Sequence, residues 1–247
     1  MRRLLLLTVL VLAGCAATPK PAPLQPAPAP TPTPTARAVT FPAADGVSLH
    51  GKLFGHGTTT VVLSNMGDND PAEWEAFAPL LAARGYSVLS YSFRYPAYTN
   101  SFTPTMAVQT VPDLTGAVAF ARQQGAQRIV LIGASLGGIT TGKLAAQLRA
   151  TSVVIISAEQ DLVGYGLACS PAELAAMTQP KLFIASQDDT NTAYSDTQSF
   201  FANAPPPKQF HPFPGDVHGV HLFDTVHGNE LRDLLLSFVS STAPAGS

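Results

Sequence analysis

The sequence predicts an α/β fold whose central sheet is mostly parallel and carries helices on both faces. From residue 39 onward, short runs rich in Val, Ile and Leu alternate with stretches of helical periodicity, and no internal repeat is visible. This alternation indicates parallel strands joined by helical crossovers, and strands covered on both faces are continuously apolar. Five such runs are expected at the centre of the sheet: 61–63, 88–89, 129–132, 153–156 and 182–184. Val47, Leu49 and Leu53 share one face of an alternating segment, which predicts an early, half-exposed antiparallel strand.

Four helices are predicted between and after these strands. The first has the clearest ends, because Asp70 is a typical N-cap, a proline and Glu73 follow in the first turn, and Gly85 closes it. Trp74 and Leu81 lie on its inward face. The other three helices are expected at 112–124, 138–150 and 230–239, and residues 241–247 are expected to form a flexible tail.

The N-terminal residues 1–14 have the form of a secretion signal. Two arginines precede an apolar run that is too short to span a bilayer as a mature helix. The run ends in Leu-Ala-Gly-Cys, which resembles the lipobox of bacterial lipoproteins and implies a mature N-terminus that carries lipid on Cys15. An ordinary signal in which Cys15 is coincidental is the alternative. Residues 15–37 are rich in Pro and Ala and predict an extended tether, so one domain is left at 38–240.

Charge and cysteine content narrow the possible functions. Loss of two arginines with the signal leaves 12 of the 14 Lys and Arg residues against 16 acidic residues, with no cluster of positive charge. Nucleic acid is therefore not expected as a partner. Only two cysteines are present. If Cys15 is lipidated, Cys169 has no disulfide partner, and its surroundings favour a small buried or loop thiol over a nucleophile.

A nucleophile is predicted at Ser135. The segment Gly133-Ala134-Ser135-Leu136-Gly137 fits the pattern G-x-S-x-G, follows an apolar strand and opens a helix. Such a turn is so sharp that glycines are needed where the chain passes close to its neighbours. It presents the serine hydroxyl at a helix N-terminus, where the Leu136 N–H can stabilise a developing oxyanion.

A serine nucleophile needs a base and an orienting acid, and both are expected later in the chain. Either Asp188 or Asp189 can supply the acid, because both follow the strand at 181–186. The base is predicted to be His218, which lies in a glycine-flanked loop after the next strand, at about 208–213. The predicted triad is thus Ser135, one of the two aspartates, and His218.

With these motifs in place, residues 39–240 resemble the α/β-hydrolase superfamily, in particular small enzymes of the dienelactone hydrolase and esterase type. The resemblance implies an α/β-hydrolase fold. Many members of the family insert a lid where this chain has only the short segment 158–180, so no large lid domain is expected. It selects Asp189, because the family's acid lies three residues after the small residue that ends the strand, here Ser186. It implies a second oxyanion donor after the third strand, for which Met66 is the first choice and Asn65 and Gly67 are alternatives. The histidine loop is matched at Pro214, Gly215, His218, Gly219, Leu222 and Phe223.

The resemblance implies a serine hydrolase that cleaves carboxylic esters or thioesters through an acyl-enzyme and needs no cofactor. A small-molecule ester is the expected partner, together with a membrane bound through the lipid anchor, which faces the periplasm or the exterior. A serine peptidase or lactonase would use the same residues, and an envelope scaffold that has lost turnover is the alternative outside catalysis. A metal site is not expected, because the relevant histidines lie in a segment rich in Gly and Pro: His211, His218, His221 and His227. Oligomeric state is left open.

Overall fold

The computed structural model describes residues 35–191 and 194–246, and it has an eight-stranded sheet with helices on both sides. The strands are β1 Arg37–Pro42, β2 Ser48–Phe54, β3 Thr59–Ser64, β4 Ser87–Tyr91, β5 Arg128–Ala134, β6 Ser152–Ile156, β7 Asp161–Leu162, β8 Leu167–Ala168, β9 Lys181–Ser186 and β10 Lys208–Phe213. The helices are α1 Ala78–Ala82, α2 Pro104–Gln123, α3 Leu136–Leu144, α4 Pro171–Ala176, α5 Tyr194–Asn203 and α6 Gly228–Thr242. A 3₁₀ segment spans Gly219–Asp224.

The sheet has the order β1-β2-β4-β3-β5-β6-β9-β10. β2 pairs antiparallel with β1 and with β4, whereas all pairs from β4 to β10 are parallel. Every residue of β3, β4, β6 and β9 is buried. One core layer packs on α2, α3, α4 and α5, and the other packs on α1 and α6. The predicted α/β-hydrolase fold, with its continuous apolar strands at the centre, is confirmed.

The helices predicted at 112–124 and 138–150 have different bounds in the structure. α2 begins at Pro104, well before the predicted start, because the Thr103 side chain caps it by accepting the Met106 N–H and Pro112 lies inside the helix. α3 begins at Leu136 and is regular only to Leu144, so the prediction that it continues to residue 150 is wrong.

The segment between β3 and β4 departs furthest from its prediction. Residues 71–77 form turns, and the only regular helix here is α1. Asp70 does begin the segment, since its Oδ1 accepts the Ala72 N–H at 2.9 Å, but Glu73 does not serve as a helix cap. Its carboxylate instead accepts the Met66 N–H. Trp74 and Leu81 are fully buried, as the predicted inward face requires.

Both ends of the described chain are more ordered than the sequence indicates. Arg37 belongs to β1, so the described end of the predicted tether forms part of an edge strand. The prediction of a flexible tail is wrong for its described part, because α6 continues to Thr242 and the next residues bond to the start of β3. There, Thr59 Oγ1 donates to Pro244 O at 2.8 Å and Thr58 N donates to Gly246 O at 3.1 Å.

The connection between β6 and β9 contains only a short hairpin, β7–β8, and α4. The prediction that there is no large lid domain is confirmed. The predicted signal of residues 1–14, Cys15 and most of the predicted tether lie outside the described residues. None of the helices within 35–191 and 194–246 has the length and apolar character needed to cross a membrane.

Candidate active site

Ser135 lies where β5 turns into α3. Its backbone has φ 50° and ψ −120°, a left-handed conformation that is rare for a residue with a side chain. The Ser135 N–H donates to Ile156 O, at the end of β6, at 2.8 Å. Backbone strain of this kind is concentrated at functional sites, and here it places the serine at the carboxyl edge of the sheet.

Close packing explains the two glycines of the G-x-S-x-G segment. A Cβ atom on Gly133 would lie 2.2 Å from Gly137 O, and one on Gly137 would lie 2.5 Å from Asn65 O. Neither distance can be accommodated without moving the backbone. The prediction that these glycines provide space for the turn is confirmed.

The structure brings His218 and Asp189 together. His218 Nδ1 and Asp189 Oδ2 are 2.7 Å apart, and the Asp189 side chain is fully buried. Asp188 is exposed and contributes through its main chain, whose N–H donates to Gly215 O at 2.9 Å. Of the two aspartates, Asp189 is the one whose side chain contacts the histidine. The Asp188 main chain links the loop after β9 to the histidine loop.

Ser135 and His218 lie at the same end of β6. Ile156, the last residue of that strand, accepts the Ser135 N–H, and the next residue, Ser157, accepts the Gly219 N–H at 3.1 Å. A Cβ on Gly219 would also lie 3.6 Å from Ala134 Cβ. No hydrogen bond joins the two side chains in the described part of the chain, and catalytic hydrogen bonds in structures without substrate are often long or poorly aligned.

One predicted oxyanion donor is available and the other is occupied. The Leu136 N–H is in the first turn of α3, and no acceptor within the described ranges takes it. The Met66 N–H donates to both carboxylate oxygens of Glu73, at 2.8 and 3.0 Å. The assignment of Met66 as the second donor is therefore wrong for this arrangement, because its hydrogen is already donated to the Glu73 carboxyl group.

The neighbouring Gly67 N–H is better suited to that role. Met66 O accepts the Asn69 N–H at 3.2 Å, which closes a β-turn with Gly67 as its second residue, and Gly67 O accepts the Tyr95 hydroxyl at 3.2 Å. Only the Gly67 N–H, among the main-chain polar groups of these two residues, has no partner in the described structure. The Gly137 N–H donates to Asn65 O at 3.1 Å and holds this turn against the serine elbow.

Comparison with known proteins identifies the family. A model described as the alpha/beta hydrolase family matches residues 47–241. The chain belongs to this family. No curated protein gives a significant sequence match to this α/β hydrolase.

Three solved structures illustrate what the α/β hydrolase resembles. An esterase from Pyrococcus furiosus superimposes with a TM-score of 0.69 at 16% identity, over 85% of this chain and 93% of its own. The esterase domain of a Rhodothermus marinus protein gives 0.66 at 18% identity, over 83% and 98%. A Xanthomonas campestris protein, described as a serine hydrolase without a lid, gives 0.66 at 17% identity, over 88% and 99%. Identities this low establish the shared fold and no more.

Glu73 is the residue of this α/β hydrolase site that the sequence did not reveal. Burial raises the pKa of its carboxyl well above the usual value, Met66 N–H donation opposes that rise, and Asp68 and Asp70 add to it. The same carboxylate lines a cavity of about 210 Å³ between the turn at 66–73 and the histidine loop. Its position in the sequence suggested a helix cap, and only the path of the turn shows that it binds a main-chain N–H beside the active site.

The remaining candidate groups of the α/β hydrolase have other surroundings. Burial raises the pKa of the Cys169 thiol to about 12, as expected of an inert buried cysteine. His211 and His227 both contact the Glu230 carboxylate, at 3.3 and 3.5 Å. Across the described ranges, no three His, Cys, Asp or Glu side chains are grouped so that they could hold a metal ion.

Proposed function

We propose that the protein is a serine hydrolase that cleaves carboxylic esters or thioesters through an acyl-enzyme on Ser135. The observation that carries the proposal is the 2.7 Å contact between His218 Nδ1 and the buried Asp189 carboxylate, at the edge of the sheet that presents Ser135. A buried carboxylate on Nδ1 keeps the proton there and leaves Nε2 as the base. Family membership supports the same class of reaction.

Each step of the proposed reaction has a residue to perform it. His218 Nε2 accepts the Ser135 hydroxyl proton while Oγ attacks the carbonyl carbon, and the Leu136 and Gly67 N–H groups stabilise the oxyanion. The tetrahedral intermediate expels the alkoxide or thiolate, which receives the proton from His218. A water molecule then attacks the acyl-enzyme with the same histidine as base, releases the acid and restores Ser135. No cofactor takes part in these steps.

The short connection between β6 and β9 favours small esters, or esters presented at a surface, as substrates. It contains only a hairpin and α4, so the fold brings no separate domain over the serine. Peptidase and lactonase chemistry would use the same triad, and the finer resemblance to dienelactone hydrolases stays a prediction. A panel of p-nitrophenyl esters, thioesters and lactones distinguishes these substrate classes.

The nucleophile is tested with Ser135→Ala. We expect the turnover of p-nitrophenyl acetate to fall by about 10⁵–10⁶-fold, as it does when a serine protease loses its nucleophile, with urea unfolding unchanged. Ser240→Ala, an exposed serine of α6, is the matched control and should keep full activity. A fluorophosphonate probe should label the wild type and the control at Ser135. Retained turnover in Ser135→Ala, or a label on another residue, would contradict the proposal.

We also propose that the protein is exported and anchored to a membrane by lipid on Cys15. The support is the signal-like segment of residues 1–14 and the Leu-Ala-Gly-Cys sequence that ends at Cys15. The two cysteines of the chain supply their own control, because Cys169 is buried in the folded domain. Metabolic labelling with an alkynyl fatty acid should mark the wild type and Cys169→Ala but not Cys15→Ala. A label that persists in Cys15→Ala would exclude this site of anchoring.

A further inference from the structure

The residues on either side of His218 are held by serine side chains. The Gly219 N–H donates to Ser157 Oγ at 3.1 Å, and the Ser186 hydroxyl donates to Val217 O. These two bonds hold the peptide groups immediately before and after the histidine. Main-chain groups of loops usually find water or other main-chain partners, so a pair of buried side-chain hydroxyls on adjacent peptides is a specific arrangement.

Both serines stand on rigid supports. Ser186 is the last residue of β9, and Ser157 follows directly after β6; both are fully buried. The Ser157 N–H also donates to Ile184 O at 2.8 Å, which ties it to the neighbouring strand. The hydroxyls therefore bind the loop at His218, which has no strand or helix of its own there, to the ends of two buried strands.

The backbone of Ser157 has a conformation that is strained for a residue with a side chain. Its φ is 46°, in the left-handed region where glycine is favoured and other residues are strained. A glycine would remove this strain and would also remove the only side-chain partner of the Gly219 N–H that the described residues supply. Substitution can therefore separate the effect of the strain from the effect of the hydroxyl.

We propose that Ser157 and Ser186 are positioning residues that fix His218 between its acid and the serine nucleophile, an inference that rests on the proposed function. Asp189 controls the rotation of the imidazole through Nδ1, but the distance from Nε2 to Ser135 depends on where the histidine backbone lies. A displacement of about 1 Å at a reacting group can cost about 100-fold in rate. The two hydroxyl bonds set that backbone position from both sides.

The test compares Ser157→Ala, Ser157→Gly, Ser186→Ala and the double alanine variant with Ser152→Ala. Ser152 is the matched control, since it is a fully buried serine of β6 whose hydroxyl has no partner in the described structure. We expect kcat for p-nitrophenyl acetate to fall by about tenfold in each single variant and by about 100-fold in the double variant, with KM within twofold of wild type. Ser157→Gly should lose as much activity as Ser157→Ala, and Ser186→Thr, which keeps a hydroxyl, should recover most of kcat.

A second measurement does not depend on turnover. The proton between His218 Nδ1 and Asp189 should give a low-field ¹H NMR signal that persists in Ser152→Ala and broadens or shifts in the Ser157 and Ser186 variants. Wild-type kcat and an unchanged signal in those variants would overturn the inference, as would a loss of kcat that only follows the fraction unfolded in urea. If the wild-type protein hydrolyses no ester while the signal still responds, the proposed function fails and the positioning role stands.

Discussion

The assignment of Gly67 as an oxyanion donor can be tested by removing a single hydrogen atom. Gly67 is the second residue of a β-turn closed by Met66 O and Asn69 N, and its φ is not in the left-handed region. Proline is favoured at this position of common β-turns, and a Cβ on Gly67 would meet no atom within 4 Å. We therefore expect Gly67→Pro to keep the turn and remove the N–H, whereas Gly67→Ala has space for its Cβ and keeps the N–H.

The expected effect follows from the partners of the turn. Gly67 is expected to supply one of two donors and Leu136 the other, and Met66 N–H cannot replace the lost donor while Glu73 holds it. Loss of one oxyanion donor typically lowers kcat by about 10²–10³-fold, or about 2.7–4 kcal/mol of transition-state stabilisation. Proline at a compatible site raises stability by about 0.4–1 kcal/mol through the unfolded chain, so the loss of rate should come without loss of folding.

The assay is steady-state hydrolysis of p-nitrophenyl acetate by Gly67→Pro, Gly67→Ala and wild type, with urea unfolding of each. We expect Gly67→Ala to keep kcat within about twofold and Gly67→Pro to lose about 10²–10³-fold with little change in KM. Equal kcat in the two variants would refute the assignment. A fall in kcat accompanied by a lower urea midpoint in Gly67→Pro would show that the turn was distorted.

Three further predictions concern charged groups. Asp189→Asn should lower kcat by about 10⁴-fold, as loss of the orienting acid does in a serine protease. In the same assay, kcat of Asp188→Asn should stay within about twofold of wild type, because only the main chain of Asp188 contacts the histidine loop. Burial raises the pKa of Glu73, so the native state retains a proton that the unfolded chain releases, and the free energy of unfolding should fall as pH rises above about 4.5. Glu73→Gln keeps an acceptor for the Met66 N–H and cannot ionise. We therefore expect this variant to gain stability in urea unfolding at pH 8 and to gain little at pH 4.5. Arg94→Met should destabilise the fold by about 3–5 kcal/mol in urea unfolding. The reason is that the fully buried Asp113 carboxylate, 2.8 Å from Arg94 Nε, loses its cation. Asp113→Asn in the same chain should recover part of that loss.

The sequence was informative wherever a short segment sets its own geometry. The pattern at 133–137 predicted a tight strand-to-helix turn, and the structure has Ser135 in a left-handed conformation with glycines where a Cβ would collide. The five continuous apolar runs predicted the central strands, because burial on both faces leaves no polar position. The choice of Asp189 over Asp188 came from the family resemblance, and the structure places Asp189 in contact with His218.

Partners that an irregular turn brings together could not be predicted in this way. The sequence suggests that Glu73 is a helix cap and Met66 a free donor. The path of the turn after β3 instead brings the carboxyl group to the Met66 N–H and leaves the Gly67 N–H without a partner among the described residues. The helix expected from Asp70 likewise shortened to α1 once that turn took its shape. A side chain with several possible partners binds the one that tertiary packing brings within reach, and local pattern does not record that distance.

By itself, therefore, the amino-acid sequence determined the class of fold, the elbow at Ser135 and the order in which serine, acid and histidine arise. The tertiary structure alone decided which N–H groups near the serine turn have no partner among the described residues, and that two serines at the ends of β6 and β9 hold the peptides around His218. The physical reason is the distance along the chain over which each kind of interaction acts. Periodicity and steric space act over a few neighbouring residues, whereas a hydrogen bond between loops exists only after the whole sheet has set their separation.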